Sequence, residues 1–238
     1  MQDHDAEIRD RSGTCIGDPA TKERIYTPPE GRDVILSHLT RWESFLHSDT
    51  DLDPLVIMAL AHYQFEAIHP FHDGNGRTGR ILNLLILIEK GLLDLPILYL
   101  SGHILRHKDI YYRRLQGVTR RGEWEPWILF MLEGIAEVAT WTLQIIDDTQ
   151  KMQEDLEARI RDHHPHMPPV SLCRLAFSQP YLRIDNIIED GLAQRQTAAK
   201  WLNALAADGL LEKRRIGRRN IYVNRRLPDR LFTTPLPR

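Results

Sequence analysis

The chain has 238 residues, 42% of them hydrophobic and 27% charged, and a formal net charge of −2. That length supports one good-sized core, or a main domain with a small companion. The composition is that of a globular protein and excludes a low-complexity polymer and a uniformly basic polyanion binder.

Cys15 and Cys173 lie far apart without metal-ligand spacing and read as free thiols in a reducing compartment. No stretch approaches the ~20 apolar residues of a membrane helix; the most apolar, Leu82 to Leu95, is interrupted by Glu89, Lys90 and Asp94. The start, Met1-Gln2-Asp3-His4-Asp5, is polar and has no signal-peptide pattern, so a cytoplasmic protein is expected.

In chain order, residues 1–32 are punctuated by Gly13, Gly17, Pro19, Pro28, Pro29 and Gly31 and read as irregular, with Lys22 to Thr27 as one arm of a short hairpin. A helical period begins at Asp33, carried by Val34, Leu36, Leu39, Trp42, Phe45 and Leu46. Asp53-Pro54 is a cap with a proline at a helix start, and a second helix over 54–68 delivers His69 to its C-terminal end. A third helix is expected over 77–90, apolar on nearly every face and therefore central. Ile97-Leu98-Tyr99-Leu100 is compatible with a strand or with the lead into a helix. Lys108 to Thr119 reads as helix, and a long helix starts near Trp127 and continues past Ile145. Asp147 to Arg161 keeps helix formers but loses its apolar face, as an exposed helical connector would. His163-His164-Pro165-His166-Met167-Pro168-Pro169 is a stop, better read as a polar linker than as a metal cluster.

The last part reads as helices around Leu172–Ala176, Ile184–Ile188 and Gln196–Ala207, then two strands about a turn at Gly217. That order resembles a winged helix-turn-helix. Lys213, Arg214, Arg215, Arg218 and Arg219 cluster on the wing and Arg225, Arg226 and Arg230 follow, the footprint of a phosphate-backbone binder. The third helix is only modestly basic, and such modules also dock proteins, so DNA binding is one expectation and protein docking or dimerisation the other.

The chemistry concentrates in His69-Pro70-Phe71-His72-Asp73-Gly74-Asn75-Gly76-Arg77-Thr78-Gly79-Arg80. His69 is a base candidate and Asp73 a metal-capable carboxylate. Gly74-Asn75-Gly76 permits positive φ and gathers N–H groups at a helix start, while Arg77 and Arg80 share a helix face. Together these make a polyphosphate site. His72, His62, His103 and His107 are expected to face solvent.

This stretch matches every fixed position of H-x-F-x-[DE]-G-N-G-R-x-x-R and so resembles the Fic family motif, as do the approach Ala61 to Ile68 and Tyr111-Tyr112; the resemblance covers roughly residues 8–145. It implies a mainly α fold: a flap hairpin within 1–32, a helical core over 33–146, a connector over 147–169 and a winged helix over 170–238. It also implies transfer of AMP from ATP to a Ser, Thr or Tyr hydroxyl of a protein, including the chain itself. In that reading His69 is the general base and Asp73 holds Mg²⁺. Gly74, Asn75 and Gly76 cradle phosphate, Arg77 and Arg80 clamp it, and Thr78 and Gly79 fill the variable positions. Phe71 is a core anchor, Tyr111 and Tyr112 line the adenine pocket or pack in the core, and Arg24, Ile25, Tyr26 and Thr27 form a flap that docks the target.

One departure concerns control. The family is restrained by [ST]-x-x-x-E-[GN], whose Glu pairs with the second motif arginine, here Arg80. Glu30-Gly31 and Glu133-Gly134 lack the Ser or Thr, being preceded by Tyr26 and Leu129. The resemblance therefore implies an N-terminally shortened, unrestrained chain. Transfer of UMP, phosphocholine or phosphate, and a DNA-binding regulator with a Fic sensor domain, remain open alternatives. The family makes a homodimer an expectation.

Overall fold

The helix that carries His69 is fastened from several directions, and the rest of the fold is built around it. A computed structural model describes residues 7–10, 13–17, 24–179 and 181–233. The chain divides into two units, Met1–Thr140 and Trp141–Arg238.

In the first unit β1 (Ile16–Gly17) and β2 (Arg24–Tyr26) pair antiparallel, so the expected hairpin is present; Lys22 and Glu23 of its arm lie outside the described residues. Helices α1 (Arg32–Leu46), α2 (Pro54–Ile68), α3 (Asn75–Glu89), α4 (Leu100–Arg106) and α5 (Lys108–Arg121) follow, then the start of α6 (Trp124–His163). Asp53 caps α2, its Oδ1 accepting from the Leu55 N–H at 2.8 Å, with Pro54 in the first turn. Two indoles grip the same helix: Trp42 Nε1 donates to the Ala61 carbonyl at 2.8 Å and Trp127 Nε1 to the Ala59 carbonyl at 2.9 Å. Met58, Ile68, Leu87, Trp127 and Met131 are fully buried or nearly so. Burial of one such side chain is worth ~1.5–3 kcal/mol.

Several expected faces are corrected. In α1 the buried residue is Ile35, in phase with Leu39, Trp42 and Leu46, while Val34 and Leu36 are exposed. Neighbours two apart on a helix point ~200° away from each other, so these cannot share one face. In α3 the buried face is Asn75, Gly79, Asn83, Ile86 and Leu87; Ile81 and Leu85 are more than half exposed, so the helix is not enclosed. It also begins two residues earlier than expected, because Gly74 caps it at φ 86°. Residues 97–99 lead into α4 rather than forming a strand. His62 and His103 are buried, not solvent-facing; His72 is exposed.

Helix α6 is continuous over 40 residues, so the stretch 147–161 is part of it. Among the described residues it is the one helix long and apolar enough to cross a membrane by length and composition, which corrects the expectation that no stretch comes close. Trp127, Met131 and Val138 of that helix are buried in the core of the first unit.

In the second unit α6 continues and is followed by α7 (Pro169–Ser178), β3 (Tyr181–Leu182), α8 (Ile184–Glu189), α9 (Arg195–Ala207), β4 (Glu212–Ile216), β5 (Arg219–Val223) and α10 (Arg226–Thr233). The sheet has the antiparallel order β3-β5-β4, with Leu182 opposite Tyr222 and Lys213 opposite Tyr222 on the other side. A third strand thus joins the two expected. The two-residue turn has positive φ at Gly217 alone, as a type II′ hairpin requires. Leu156, Ile160, Leu172, Ile187, Leu202 and Tyr222 form the core. Cys173 is buried, Cys15 is exposed, and both are free thiols.

The basic cluster is less free than its sequence implies. Arg214 and Arg225 pair with Glu212, Arg226 with Asp155 and Arg230 with Asp148. Arg215, Arg218 and Arg219 remain at the tip of the hairpin.

Candidate active site

His69 ends α2 in the left-handed conformation, φ 49° and ψ 58°, and is the one non-glycine residue with positive φ among the described residues. A histidine pays about 1 kcal/mol or more for that backbone, so something must hold it there. Arg9 does so. Its side chain is buried, 1% exposed, and its Nε donates to the His69 carbonyl at 2.6 Å. Its Nη2 donates to the Ile68 carbonyl at 3.2 Å and also to the Pro29 carbonyl. The Arg9 N–H donates to the Pro70 carbonyl at 2.9 Å, and Ile8 makes an antiparallel bridge to Phe71. Segment 7–10 therefore lies along the motif loop. Arg9 had no local signal in the sequence: its three acceptors are the backbone carbonyls of Pro29, Ile68 and His69, twenty or more positions away.

The His69 ring is half-buried and its Nδ1 is sealed from solvent. Burial lowers its pKa, the Glu66 carbonyl opposes that, and the Arg9 charge adds to it. The imidazole is thus neutral near pH 7, the state a general base needs.

The loop that follows is stapled by Asn75. Its Oδ1 accepts from the Phe71 N–H at 2.8 Å and its Nδ2 donates to the Phe71 carbonyl at 2.7 Å. The side chain is consumed by the loop, and what Asn75 offers outward is its N–H. As the first residues of α3, Asn75, Gly76 and Arg77 have no intrahelical carbonyl to donate to. The helix start with these N–H groups is an anion site. Asp73 stands at its mouth, largely exposed, with Oδ1 accepting from the Gly74 N–H at 2.6 Å and Oδ2 3.1 Å from Arg77 Nη2. Phe71 packs against Phe65 at a ring separation of 6.3 Å.

Arg77 and Arg80 differ in setting. Arg77 is exposed, whereas Arg80 is partly buried beside Gly76, where an added Cβ would meet its Nη1 at 3.1 Å. Gly79 faces α2, not the helix start: a Cβ there would lie 2.7 Å from Glu66 Oε1 and 3.3 Å from both His62 and Phe65. Gly76 and Gly79 serve close approach rather than positive φ, which only Gly74 of the three uses.

Glu66 and His62 form a buried polar layer beneath α3 that the motif does not announce. Glu66 Oε1 is buried without a partner, and burial raises its pKa to about 7 against the pull of Arg80. His62 is pushed down to about 4 by burial, opposed by the Gly79 carbonyl, and its Nε2 lies 2.9 Å from Tyr111 Oη. Tyr111 is accordingly a core residue. Tyr112 is 45% exposed, edge-on to Tyr111 and beneath Lys108 Nζ at 5.9 Å, and is the accessible one of the pair. Of the flap, Tyr26 is half-buried with its pKa raised by burial, and Thr27 is exposed.

A left-handed histidine thus stands before an anion-binding helix start, at the end of a helix gripped by its neighbours. Residues 1–87 match the Fic/DOC family, and residues 152–227 match the family described as protein adenylyltransferase SoFic-like, C-terminal domain. The chain carries a Fic/DOC domain followed by a SoFic-like C-terminal domain. It is 34% identical over 110 residues to the protein adenylyltransferase Fic of Culex quinquefasciatus and 34% identical over 114 residues to that of Aedes aegypti, in each case over 45% of this chain and 20% of the relative. To the protein of the same name from Drosophila melanogaster it is 33% identical over 110 residues, 45% of this chain and 21% of the relative. The chain thus spans about a fifth of the length of these relatives. A Fic family protein from Desulfovibrio desulfuricans G20 of solved structure is 25% identical, with 83% of this chain and 57% of that one covered and a TM-score of 0.47.

Proposed function

We propose that the chain is a protein adenylyltransferase that moves AMP from ATP to a Ser, Thr or Tyr hydroxyl of a protein, itself included. The observation that carries this reading is the left-handed His69, fixed by Arg9, at the head of the loop that leads into the N–H groups of Asn75, Gly76 and Arg77 at the start of α3. The names of the relatives support it.

In this mechanism the polyphosphate of ATP lies at the start of α3, held by those N–H groups and by Arg77 and Arg80. The arginines stabilise the charge that develops on the departing pyrophosphate. His69 takes the proton of the target hydroxyl as its oxygen bonds to the α-phosphorus and the bond to pyrophosphate breaks. Its Nδ1 is sealed from solvent, which leaves Nε2 as the proton acceptor. Asp73 is an exposed hard-oxygen donor at the same mouth and fits Mg²⁺. An ion held there would supply positive charge to the phosphates. The exposed face of Tyr112 suits an adenine ring, and the β1–β2 hairpin offers an edge for an extended target segment.

For the second unit, the order helix, strand, helix, helix and hairpin supports a winged helix-turn-helix reading. Pairing of four of its arginines with carboxylates leaves a small cationic tip and favours protein docking over a DNA backbone as its partner. The test of the main reading is nucleotide binding beside transfer: His69→Ala keeps ATP binding and loses AMP transfer, whereas Arg80→Ala weakens ATP binding. Transfer of UMP or phosphocholine in place of AMP, with the same His69 dependence, would move the substrate and keep the base.

A further inference from the structure

A second constellation of ligating side chains lies on α4, α5 and α6 of the first unit. His103 is in α4 and His107 is at the junction with α5, one helical turn on, so their side chains share a face. The two rings lie 4.6 Å apart. Glu137 of α6 meets them: its Oε2 is 2.5 Å from His103 Nδ1, and its Oε1 accepts from Arg106 Nη2. One donor atom from each of His103, His107 and Glu137 lies within 4.8 Å of the others. Bonds of ~2.0–2.2 Å in a tetrahedral shell set ligands about 3.4 Å apart. Around an ion the 2.5 Å gap between His103 Nδ1 and Glu137 Oε2 opens by about an ångström and the half-buried His107 ring closes on the pair.

The surroundings suit an ion. Burial lowers the pKa of His103 in spite of Glu137, so its imidazole is neutral, the form that ligates. The ring is wedged against Gly134, where a Cβ would come within 2.6 Å of Cδ2, so its Nδ1 edge is held toward Glu137. Arg106 occupies Oε1 and orients the carboxylate, leaving Oε2 for an ion in the way outer partners steer metal ligands. A cavity of about 530 Å³ adjoins the three side chains and also has Glu133 in its wall, which leaves room for a water as fourth ligand.

We propose that His103, His107 and Glu137 form a metal site, separate from Asp73, that takes a borderline divalent transition ion with Zn²⁺ foremost. Two imidazoles with one carboxylate select such an ion over Mg²⁺ or Ca²⁺, which prefer all-oxygen shells. The ion takes the place of the proton between His103 Nδ1 and Glu137 Oε2, and the neutral His103 ring keeps that proton on Nε2, so uptake of Zn²⁺ calls for no net proton release from these ligands. Bound, it ties the α4–α5 junction to α6.

The test is calorimetric titration of the full chain, stripped with EDTA and dialysed, with Zn²⁺ in two buffers of different ionisation enthalpy; Co²⁺ serves as the spectroscopic probe. Wild type is expected to bind one equivalent in both buffers, to give a tetrahedral Co²⁺ spectrum and to ignore excess Mg²⁺. His107→Ala and Glu137→Gln should each weaken Zn²⁺ at least tenfold, while Asp73→Ala and His164→Ala leave it unchanged. His107 is at the protein edge, so His107→Ala decides the matter even if Glu137→Gln fails to fold. No uptake by wild type, equal uptake by His107→Ala, or loss only in Asp73→Ala or His164→Ala overturns the proposal.

Discussion

Arg9→Ala isolates the device that holds His69. The wild-type guanidinium donates to the carbonyls of His69, Ile68 and Pro29 from a side chain 1% exposed. A hydrogen bond from a charged donor is worth ~1.5–3 kcal/mol, so three would reach ~4.5–9 kcal/mol. The Ile68 bond is long at 3.2 Å and Pro29 is half-buried, within reach of water, which reduces the expected loss to about 3–5 kcal/mol. Against a typical domain stability of ~5–15 kcal/mol that is a large fraction. Released from its clamp, the left-handed His69 relaxes toward ordinary backbone and the base leaves its position. Urea unfolding should show the lost stability as a lower midpoint. Transfer should fall more than tenfold at a temperature where the variant is still folded. Arg9→Lys keeps the charge but not the fork, and should recover only part of both. An Arg9→Ala chain with wild-type midpoint and wild-type transfer would refute the reasoning.

Other consequences follow from the buried layer beneath α3. His62, lowered to about 4, costs stability as pH falls from its unfolded value of ~6.5. Glu66, raised to about 7, costs stability as pH rises from its unfolded value of ~4.5. Each shift corresponds to about 3 kcal/mol, and over pH 4.5–6.5 the two slopes oppose each other. Glu66→Gln should therefore gain stability at pH 8 and show a steeper loss toward pH 5 than wild type, measured by denaturant midpoint at both pH values; parallel profiles would count against the pairing. Gly79→Ala places a methyl 2.7 Å from Glu66 Oε1 and should cost ~1–3 kcal/mol through displacement of α2 from α3, read as a fall in Tm. Because burial lowers the pKa of His69, the acid limb of the pH–rate profile should lie below the ordinary histidine value of ~6.5; a limb above it would point to a different base.

Local signals were readable where their causes are local. Asp53-Pro54 marks the start of α2 because cap and ring act on the neighbouring turn, and the motif residues are consecutive. Which side of a helix is covered depends on what packs there. The alternatives Val34 against Ile35 in α1, and the exposed Ile81 and Leu85 in α3, could not be resolved from spacing in runs so rich in apolar residues. β3 is two residues long and exists through its pairing with β5, some forty positions later. Within the site, His69, Asp73 and the glycine turn stand out in the sequence as chemistry, whereas the Asn75 side-chain staple and the Gly79 contact with α2 show only in the fold. Arg9 and Glu66 act on backbone or side chains that only the folded chain brings near. His103 and His107 show a visible one-turn spacing, but Glu137, thirty residues on, gives it meaning.

The central claim is that His69 transfers AMP from ATP. Its most direct test is mass spectrometry of the purified chain, and of proteins in a lysate, after incubation with Mg-ATP. The account predicts a mass gain of one AMP on a hydroxyl side chain with wild type and none with His69→Ala, which still binds ATP. An adduct that persists in His69→Ala, or ATP binding by wild type with no adduct on any protein, would contradict it.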